Sequence, residues 1–308
     1  MAMAAEQLKS RQLTNAREMT REEWLESRRK GIGGSDCAAI LGINQYKGAL
    51  GVFIDKTEGS TFEGNIHTDF GNWMEPHIRE EFPKRFKKFE GIDITVYEYP
   101  YVLQHPDKDH YIANIDGIIE HPEHGVGIIE IKTASEMQWK KWVDDEVPDE
   151  YYCQVQHYLN VTGLEYAYIV ALVGKRLLWK LIPRSDAFLA LMEAKLDEFW
   201  FDYIVPKIAP PPQGVEGDTD MLKAMYSAES GGTLVELPEL IDAYQEYKEV
   251  DKQIKELEMQ KEAFKQKIMQ EMGTAEVAYI GEKKVTWKTV NRKGYEVKPT
   301  SYRMLRIG

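Results

Sequence analysis

Apolar and polar positions follow two different periods over the first 213 residues, so the chain is predicted to mix helices and strands. A period near that of a helix begins at Arg21 and ends at about Lys30, with Thr20 as its cap and Glu23 completing a capping box. Runs of apolar and β-branched residues predict strands. The other predicted elements are a short helix capped by Ser35 or Asp36 and ending at Leu41, a helix over 70–89 broken or kinked near Pro83, strands over 92–104, 111–120 and 127–133, a helix over 150–161, strands over 166–173 and 177–183, and an amphipathic helix over 188–204.

A different pattern begins after the proline run 210–212, where proline, glycine and small acidic residues favour a linker. Residues 240–271 then repeat apolar positions every seven residues, which predicts a long helix that packs lengthwise. An arm, an intramolecular helical hairpin and a coiled coil are all compatible with this repeat. A small β-hairpin over 277–290 follows it. The predicted parts are a domain over 1–213, a linker over 214–235 and a helical arm with a hairpin over 236–308.

Composition narrows the class of protein. No run of about 18 apolar residues is present, so the sequence predicts no membrane span. The N-terminal residues lack the apolar stretch of a signal peptide. With only two cysteines, a disulfide framework and a four-thiolate iron–sulfur cluster are both disfavoured. We therefore expect a protein of the reducing cytoplasm.

The net charge of −12 argues at first against a nucleic-acid partner. The charge is unevenly distributed, however, because residues 214–272 carry 14 acidic and 7 basic side chains, whereas residues 273–308 carry 3 and 8. Local basic runs occur at 28–30 and 84–88. We interpret the second run as solvated surface, and local charge will decide whether DNA can bind.

Candidate chemistry lies on two neighbouring predicted strands. Asp116 stands at a strand end, and Glu130 and Lys132 are two residues apart on the next strand, so their side chains share one face. Isoleucines flank them, which predicts that the strand is buried, and buried charges need partners or a metal ion. Carboxylates of this kind suit Mg²⁺ or Mn²⁺. A surface ion pair arising by chance is the alternative explanation.

Asp116 followed by Glu130-Ile131-Lys132 resembles the signature of the PD-(D/E)xK nucleases. Three further segments resemble motifs of the YqaJ-like viral recombinases and of lambda exonuclease, and they occur in the same order as in that family. These segments are 28–36 with its glycine turn, 71–76 with Glu75, and 151–158 with Gln154 and Gln156. The resemblance covers residues from about 20 to 213. It implies an α/β nuclease core with a mixed central sheet flanked by helices.

The resemblance also implies a role for each matching residue. Metal ions would be bound by Glu75, Asp116, Glu130 and the backbone carbonyl of Ile131. Lys132 would position the attacking water, and Gln154 would hold the nucleophile or the geometry of the site. Gln156 and Tyr158 are candidate supporting residues. A terminal 5′-phosphate would be bound by Arg28 and Ser35, with Arg29 as the substitute for Arg28 if the helix end is shifted by one residue. Two departures from the family pattern are Ile115, where many members carry proline, and an acidic position for which Asp107 and Asp109 are no clear match.

Each accessory residue also has a purely structural explanation. Glu75 precedes Pro76 and could belong to the first turn of a helix. One of Gln154 and Gln156 is expected on the exposed helix surface, whereas Tyr158 could belong to the core. Ser35 could be a helix cap alone. The segment from His121 to His124 lacks further spaced ligands, so we expect a solvated turn there.

The implied activity is Mg²⁺-dependent digestion of linear double-stranded DNA from its 5′ ends, with Mn²⁺ able to substitute. The product would be a 3′ single strand for phage-type recombination in the cytoplasm of a bacterial host. The resemblance further implies a homotrimer and a single-strand annealing protein as partner. A restriction-like endonuclease and a non-catalytic DNA-binding scaffold are the alternatives. Retention of Glu75, Asp116, Glu130 and Lys132 argues against the scaffold.

Overall fold

The computed structural model describes residues 7–59, 64–143, 146–226 and 234–291. The chain forms two compact units, with the division between Met225 and Tyr226. Within these ranges the first unit contains the following helices and strands. The strands are β1 (Arg11–Asn15), β2 (Thr95–Tyr97), β3 (Tyr101–Gln104), β4 (Ile112–Ala113), β5 (Gly117–His121), β6 (Gly125–Ala134), β7 (Tyr166–Val173) and β8 (Arg176–Pro183). The helices are α1 (Arg21–Arg29), α2 (Gly34–Ile40), α3 (Ala49–Thr57), α4 (Ile66–Glu90), α5 (Asp149–Thr162), α6 (Asp186–Glu198) and α7 (Glu216–Met225).

A five-stranded mixed sheet in the order β2-β5-β6-β7-β8 forms the centre of this unit. The β6–β7 pair is parallel, as expected for strands joined by the helix α5, and the other pairs are antiparallel. Ile128 and Ile129 are consecutive and both fully buried, because β6 has a hydrophobic layer on each face. The layer containing Ile128 includes α2 and α5, and the layer containing Ile129 includes α4. The predicted α/β class with a mixed sheet flanked by helices is confirmed.

The long helix α4 is continuous from Ile66 to Glu90, although a break near Pro83 was predicted. Proline removes one backbone hydrogen bond, but packing of the apolar face can offset that loss. Phe82 and Phe86 supply this packing, since both are buried and their rings lie within about 6 Å of Tyr168 and Trp179. The helix ends at Gly91, whose φ of 75° is the left-handed conformation that glycine adopts readily.

Two of the predicted strands are each divided between two sheets. The segment 92–104 becomes β2 and β3, and the segment 111–120 becomes β4 and β5. A separate three-stranded sheet has the order β1-β3-β4. The chain therefore leaves one sheet and enters another at residues 114–116. This crossing places Asp116 at the start of β5, directly beside β6.

The segment after the proline run differs from the predicted linker. Gln213 donates its backbone N–H to Asp218 Oδ2 at 2.6 Å, and its side chain donates to Ile40 O at 2.9 Å and accepts from Ala49 N at 2.8 Å. Asp218 is 1% exposed and lies on α7. The buried Asp218 carboxylate requires a fixed donor, which Gln213 supplies. Since Gln213 is itself bound to Ile40 and Ala49, residues 213–225 belong to the first unit.

The second unit contains the predicted long helix, α8 (Ile241–Met272), followed by the hairpin β9 (Val277–Ile280) and β10 (Lys283–Thr286). The heptad positions Tyr247, Ile254 and Phe264 are exposed on α8. In the parts of the chain that the structure describes, no helix is both long and apolar enough to cross a membrane.

Candidate metal and nucleic-acid site

The first two carboxylates of the site lie on neighbouring parts of the central sheet, Asp116 directly before β5 and Glu130 within β6. Asp116 Oδ2 accepts a hydrogen bond from the backbone N–H of Ile131 at 2.7 Å, which fixes the carboxylate against β6. Gly117 pairs with Ile129 in the register of β5 and β6. Glu130 and Lys132 alternate with Ile131 on β6 and so project to the same face as each other.

Glu130 is the most buried charged residue of this group, at 1% exposure. Its Oε1 accepts from Lys132 Nζ at 2.6 Å and from Gln154 Nε2 at 2.7 Å. Its Oε2 is buried and has no hydrogen-bond donor among the described residues. An unpaired carboxylate oxygen in the interior is costly, so this atom requires a cation or a proton.

The electrostatics of the three carboxylates reflect their crowding. Burial and the nearby Asp116 raise the pKa of Glu130 to about 8, against the opposing effect of Lys132. Burial and Asp116 likewise raise the pKa of Glu75 to about 7, with Arg79 opposing. Burial also raises the pKa of Asp116. The three carboxylates, when ionised, carry more negative charge than Lys132 neutralises. A bound divalent cation would reduce the repulsion between them.

Lys132 remains a cation in this environment. Burial alone would lower the pKa of its ammonium group, but Glu130 and Asp116 raise it above the ordinary value. The ammonium also lies 5.0 Å from the centre of the Tyr151 ring. Lys132 therefore provides a fixed positive charge at the edge of the carboxylate group.

The third carboxylate, Glu75, lies on α4 and lines the same cleft as Asp116 and Glu130. It stands in the tenth position of the helix, so the explanation that it belongs to the first turn is wrong. Its carboxylate accepts from Arg79, which also approaches Glu98 Oε2 at 3.4 Å. Arg79 thereby restrains the direction of the Glu75 side chain.

The donors present fit a hard divalent cation. Glu75, Asp116, Glu130 and Ile131 line one cleft, and oxygen donors such as carboxylates and carbonyls suit Mg²⁺ or Mn²⁺ more than Zn²⁺. The unpaired Oε2 of Glu130 is the atom that such an ion would satisfy first. Glu75, Asp116 and Glu130, with the Ile131 carbonyl, are the groups that would hold it.

At another wall of the cleft, Arg28 and Ser35 are in direct contact. Arg28 Nη2 donates to Ser35 Oγ at 2.6 Å, and the guanidinium stacks over Trp24 at 4.9 Å. The sequence predicted Ser35 or Asp36 as the helix cap, but α2 begins at Gly34, with Gly33 at the cap position two residues before Ser35. Asp36 accepts from Gly33 N at 2.9 Å and supplies the capping contact, which leaves the Ser35 hydroxyl free to face Arg28.

Lys56 joins the end of α1 to the start of α2, next to Arg28 and Ser35. This role was not predicted from the sequence. The Lys56 ammonium donates to Asp36 Oδ2 at 2.6 Å and to the carbonyl of Arg28 at 2.7 Å. Burial would raise the pKa of Asp36, but Lys56 and Arg28 hold it well below the ordinary value. The available sequence signal was a lysine in the segment 49–57, which begins with six apolar residues, since a buried ammonium requires a carboxylate.

Two predicted site residues lie elsewhere. Arg29 donates to the carbonyls of Lys56 at 3.1 Å and Thr57 at 2.7 Å, so it closes the C-terminal end of α3. Gln156 donates to Pro183 O at 2.8 Å and accepts from Ser185 N at 3.0 Å. The expectation that one of the two glutamines is exposed was wrong, because Gln156 joins α5 to the chain after β8 and Gln154 faces Glu130.

Tyr158 belongs both to the core and to the wall of the cleft. It is 5% exposed, and its hydroxyl accepts from Gln154 Nε2 at 2.9 Å. A side chain at position 34 would collide with the Tyr158 ring, which explains glycine there. Tyr158 therefore positions Gln154 and sets how closely α2 approaches α5.

The turn between β5 and β6 contains a second group that could hold a metal ion. Ligand atoms of His121, Glu123 and His124 lie within 4.8 Å of one another. The expectation of a wholly solvated turn was wrong for His121, which is 4% exposed with Nδ1 accepting from the backbone of Glu123 and His124. This group lies at the end of β5 away from Asp116.

The residues around the main site line one cleft of about 460 Å³. Neither Asp107 nor Asp109 is among its lining residues, and Asp109 pairs with Arg11 instead. Five polar or aromatic residues for which the sequence predicted no role also line it: Trp24, Thr68, Asn72, Asn114 and Thr133. The lining residues predicted from the sequence are Arg28, Ser35, Glu75, Asp116, Glu130, Ile131, Lys132, Gln154 and Tyr158.

The protein has an α/β fold whose strand β6 carries Glu130 and Lys132, with Asp116 and Glu75 in the same cleft. This is the arrangement of residues in the PD-(D/E)xK signature. Residues 23–165 match the model of the YqaJ-like viral recombinase domain. The chain is also 35% identical over 280 residues to the uncharacterized protein YqaJ of Bacillus subtilis (strain 168), covering 89% of this chain and 85% of that protein. The chain therefore belongs to the YqaJ-like family.

Solved structures with partial similarity include two exonucleases. The alkaline exonuclease LHK-Exo of Laribacter hongkongensis is 20% identical, with a TM-score of 0.48, and the match covers 67% of this chain and 100% of that one. A phage-related exonuclease of Haemophilus somnus 129PT is 15% identical, with a TM-score of 0.42, and the match covers 58% and 96% of the two chains.

Proposed function

We propose that this protein is a metal-dependent exonuclease that degrades linear double-stranded DNA from 5′ ends. The observation that carries the proposal is the buried Glu130 carboxylate, whose Oε2 has no donor among the described residues and which faces Asp116 and Lys132 in one cleft. Hydrolysis of a phosphodiester needs a cation, a positioned water and a charge that stabilises the transition state. This group of residues can supply all three.

Each residue has a defined part in that reaction. A divalent cation, Mg²⁺ or Mn²⁺, would supply Lewis acidity toward the phosphate and ease the deprotonation of water. Glu75, Asp116 and Glu130 would hold the cation, and Gln154 keeps Glu130 in place through its 2.7 Å hydrogen bond. Lys132 would orient the attacking water and stabilise the charge that develops on the phosphate oxygens.

Arg28 and Ser35 support a preference for a phosphorylated 5′ end. Both line the cleft, and a guanidinium paired with a hydroxyl offers donors that match phosphate oxygens. A terminal phosphate carries more charge than an internal diester, so we expect faster digestion of 5′-phosphate than of 5′-hydroxyl duplex. R28A should remove most of that difference, while R29A, a matched loss of one arginine outside the cleft, should retain it. Equal wild-type rates on the two ends would contradict this part of the proposal.

The activity itself is tested with purified protein and Mg²⁺ on linear, nicked and covalently closed duplexes, with each end labelled in turn. We expect loss of label from the 5′ ends of linear duplex, an intact closed circle and a 3′ single-stranded product. Cleavage of the closed circle would favour a restriction-like endonuclease. If the protein binds DNA but does not hydrolyse it in the presence of Mg²⁺ or Mn²⁺, a non-catalytic scaffold is favoured.

Membership of the YqaJ-like family supports a proposal for the biological setting. We place the reaction in phage-type recombination in the bacterial cytoplasm, encoded by a phage or prophage, with a single-strand annealing protein receiving the 3′ strand. We also propose a homo-oligomer, with a trimer as the expected state. Light scattering of the purified protein tests the trimer, and co-purification with the candidate annealing protein tests the partner.

A further inference from the structure

A group of exposed cations lies where the catalytic strand leaves the sheet. Lys140 and Lys141 stand on the short 3₁₀ turn Glu136–Lys141, directly after β6, and Lys175 and Arg176 stand at the turn between β7 and β8. We call these four residues the strand-end patch. All four residues are exposed.

The fold holds the two halves of the strand-end patch together. Gly174 donates its backbone N–H to Ala134 O at 2.9 Å, which joins the β7–β8 turn to the end of β6. The Arg176 guanidinium lies 4.4 Å from the centre of the Trp139 ring. A side chain at position 174 would lie about 3.0 Å from Glu136 Cβ, so glycine is needed for this close contact. The four cations therefore share one fixed surface.

The charge of this patch is not neutralised within the described ranges, where none of its four cations forms an ion pair. In the basic run 84–88, by contrast, cations are neutralised by ion pairs. Lys84 pairs with Glu80 at 2.8 Å, and Lys87 pairs with Asp93. Glu136 is the acidic residue within the 3₁₀ turn, and Asp144 and Asp145 lie outside the described residues.

The strand-end patch continues from the cleft along one strand. Glu130 and Lys132 lie in the cleft, Thr133 lines it, and β6 ends at Ala134, immediately before the 3₁₀ turn. At about 3.3 Å per residue, the start of that turn is roughly 13 Å from Lys132. That span equals about four base-pair steps, at about 3.4 Å per phosphate on each strand.

We propose that the strand-end patch binds the phosphodiester backbone of the duplex whose end occupies the cleft. The inference rests on the proposed function and specifies which surface receives the DNA beyond the reacting phosphate. The chemistry is sequence-independent, because ammonium groups on exposed turns contact phosphates and cannot read bases from this position. It also explains how a strongly acidic protein can bind a polyanion, since the unpaired cations are concentrated next to the site.

The experiment compares two double variants, each of which removes two lysines and the same total charge. K140A/K141A changes the strand-end patch, and K84A/K87A changes the ion-paired run. Binding of linear duplex is measured in Ca²⁺ over a series of NaCl concentrations, and the slope of log K against log[salt] is compared. Each lost phosphate contact lowers the slope by about 0.9, so we expect a decrease of about 2 for K140A/K141A and none for K84A/K87A. K175A alone should give a decrease of about 1.

Equal slopes for the two double variants would overturn the proposal, and so would unchanged slopes in K140A/K141A and K175A. Because the two doubles alter net charge equally, a long-range effect would move both. Wild-type hydrolysis of the same duplex is measured in Mg²⁺ alongside. If the wild-type protein does not hydrolyse DNA, the proposed function is refuted whatever the salt dependence of binding. If it hydrolyses DNA and the two double variants have equal slopes, only the proposal that the strand-end patch binds DNA is refuted. Thermal melts of both doubles, expected within about 2 °C of wild type, exclude misfolding.

Discussion

At the scale of single residues, the site is organised around Glu130. One of its oxygens is bound by Lys132 and Gln154, and the other has no donor among the described residues. The large majority of buried side-chain polar atoms have a hydrogen-bond partner. The unpaired Oε2 of Glu130 therefore favours a ligand-binding carboxylate over an ion pair of the kind found on many strands.

Glu130→Gln should lower nuclease turnover by more than about 100-fold, because even the partners of metal ligands contribute roughly 10–100-fold. The amide keeps the shape but loses the charge that would hold the cation. Calorimetry should show weaker Mn²⁺ binding in the same variant. Glu120→Gln is the matched control, since Glu120 lies on the adjacent strand, accepts from Tyr97 at 3.1 Å and does not line the cleft. Activity of E130Q near that of E120Q would refute the assignment.

Lys132→Ala should reduce turnover more than it reduces DNA affinity. The ammonium sits beside the carboxylates, where it would act on the charge that develops in the transition state. Single-turnover rates at saturating DNA, measured with the dissociation constant in Ca²⁺, separate the two effects. A loss of affinity equal to the loss of rate would make Lys132 a simple phosphate contact.

At the scale of elements, the break between β4 and β5 and the helix α5 determine the geometry of the site. The break delivers Asp116 to the side of β6, and α5 places Gln154 over Glu130. One turn further along α5, His157 is fully buried, and its Nε2 lies 3.1 Å from Ile32 O and 3.0 Å from Ile112 O. Since both partners are acceptors, Nε2 carries the proton. His157 thus joins the glycine turn before α2 to β4.

This contact predicts a pH dependence of stability. Burial lowers the pKa of His157 to about 4, against hydrogen bonds that raise it. The unfolded chain therefore takes up a proton near pH 6.5 that the folded protein resists until about pH 4. The stability that neutral His157 contributes is complete above about pH 6.5 and is lost as the pH falls toward 4, by about 3 kcal/mol in total.

Urea unfolding of wild type and H157Q between pH 4.5 and 7.5 tests this dependence. The free energy of unfolding of wild type should fall with decreasing pH, and the fall should be smaller in H157Q by the His157 contribution. H67Q provides the control, because His67 is an exposed residue of the first turn of α4. Parallel pH profiles for wild type and H157Q would exclude His157 as the cause.

At the scale of the whole molecule, the chain separates into a catalytic unit and a second unit with a long helix. The contacts of Gln213 and Asp218 with the first unit show that the first unit continues beyond the proline run. The exposed heptad positions on α8 motivate the hypothesis that the second unit mediates association, with itself or with a recombination partner. A long helix with an exposed apolar seam is suited to such packing.

Two truncations distinguish the units. A protein ending at Met225 should remain folded and active, with a melting temperature close to that of the full chain, and its oligomeric mass or partner binding should change. A protein ending at Gln213 should be less stable by about 2 kcal/mol or more, because it loses α7 and the buried Asp218 contact. Thermal melts and light scattering of both give the comparison. Equal stability of the two truncated proteins would place the end of the first unit at residue 213. If the protein ending at Met225 has the same oligomeric mass and the same partners as the full chain, the association hypothesis is refuted.

Local patterns in the sequence were sufficient for many of the elements, though not for β1, α3 or α7, and for many of the residues that line the cleft. The heptad repeat predicted α8, and the capping box at Thr20 and Glu23 predicted the start of α1. The apolar strand with Glu130 and Lys132 predicted charged groups in a buried place. These features depend on residues close in the chain, because helical and strand periodicity and capping are set over a few residues.

Tertiary structure decided which polar groups are satisfied and by what. The glutamines at 154 and 156 are indistinguishable by pattern, yet one binds Glu130 and the other binds the chain after β8. Likewise the basic run 84–88 is the more conspicuous in sequence, but Lys84, Arg85 and Lys87 form ion pairs there, whereas the cations of the strand-end patch form none within the described ranges. Burial and ion pairing depend on segments far apart in the chain, as between Lys56 and Asp36 or Asp218 and Gln213. No local period encodes those contacts, so only the folded chain could reveal them.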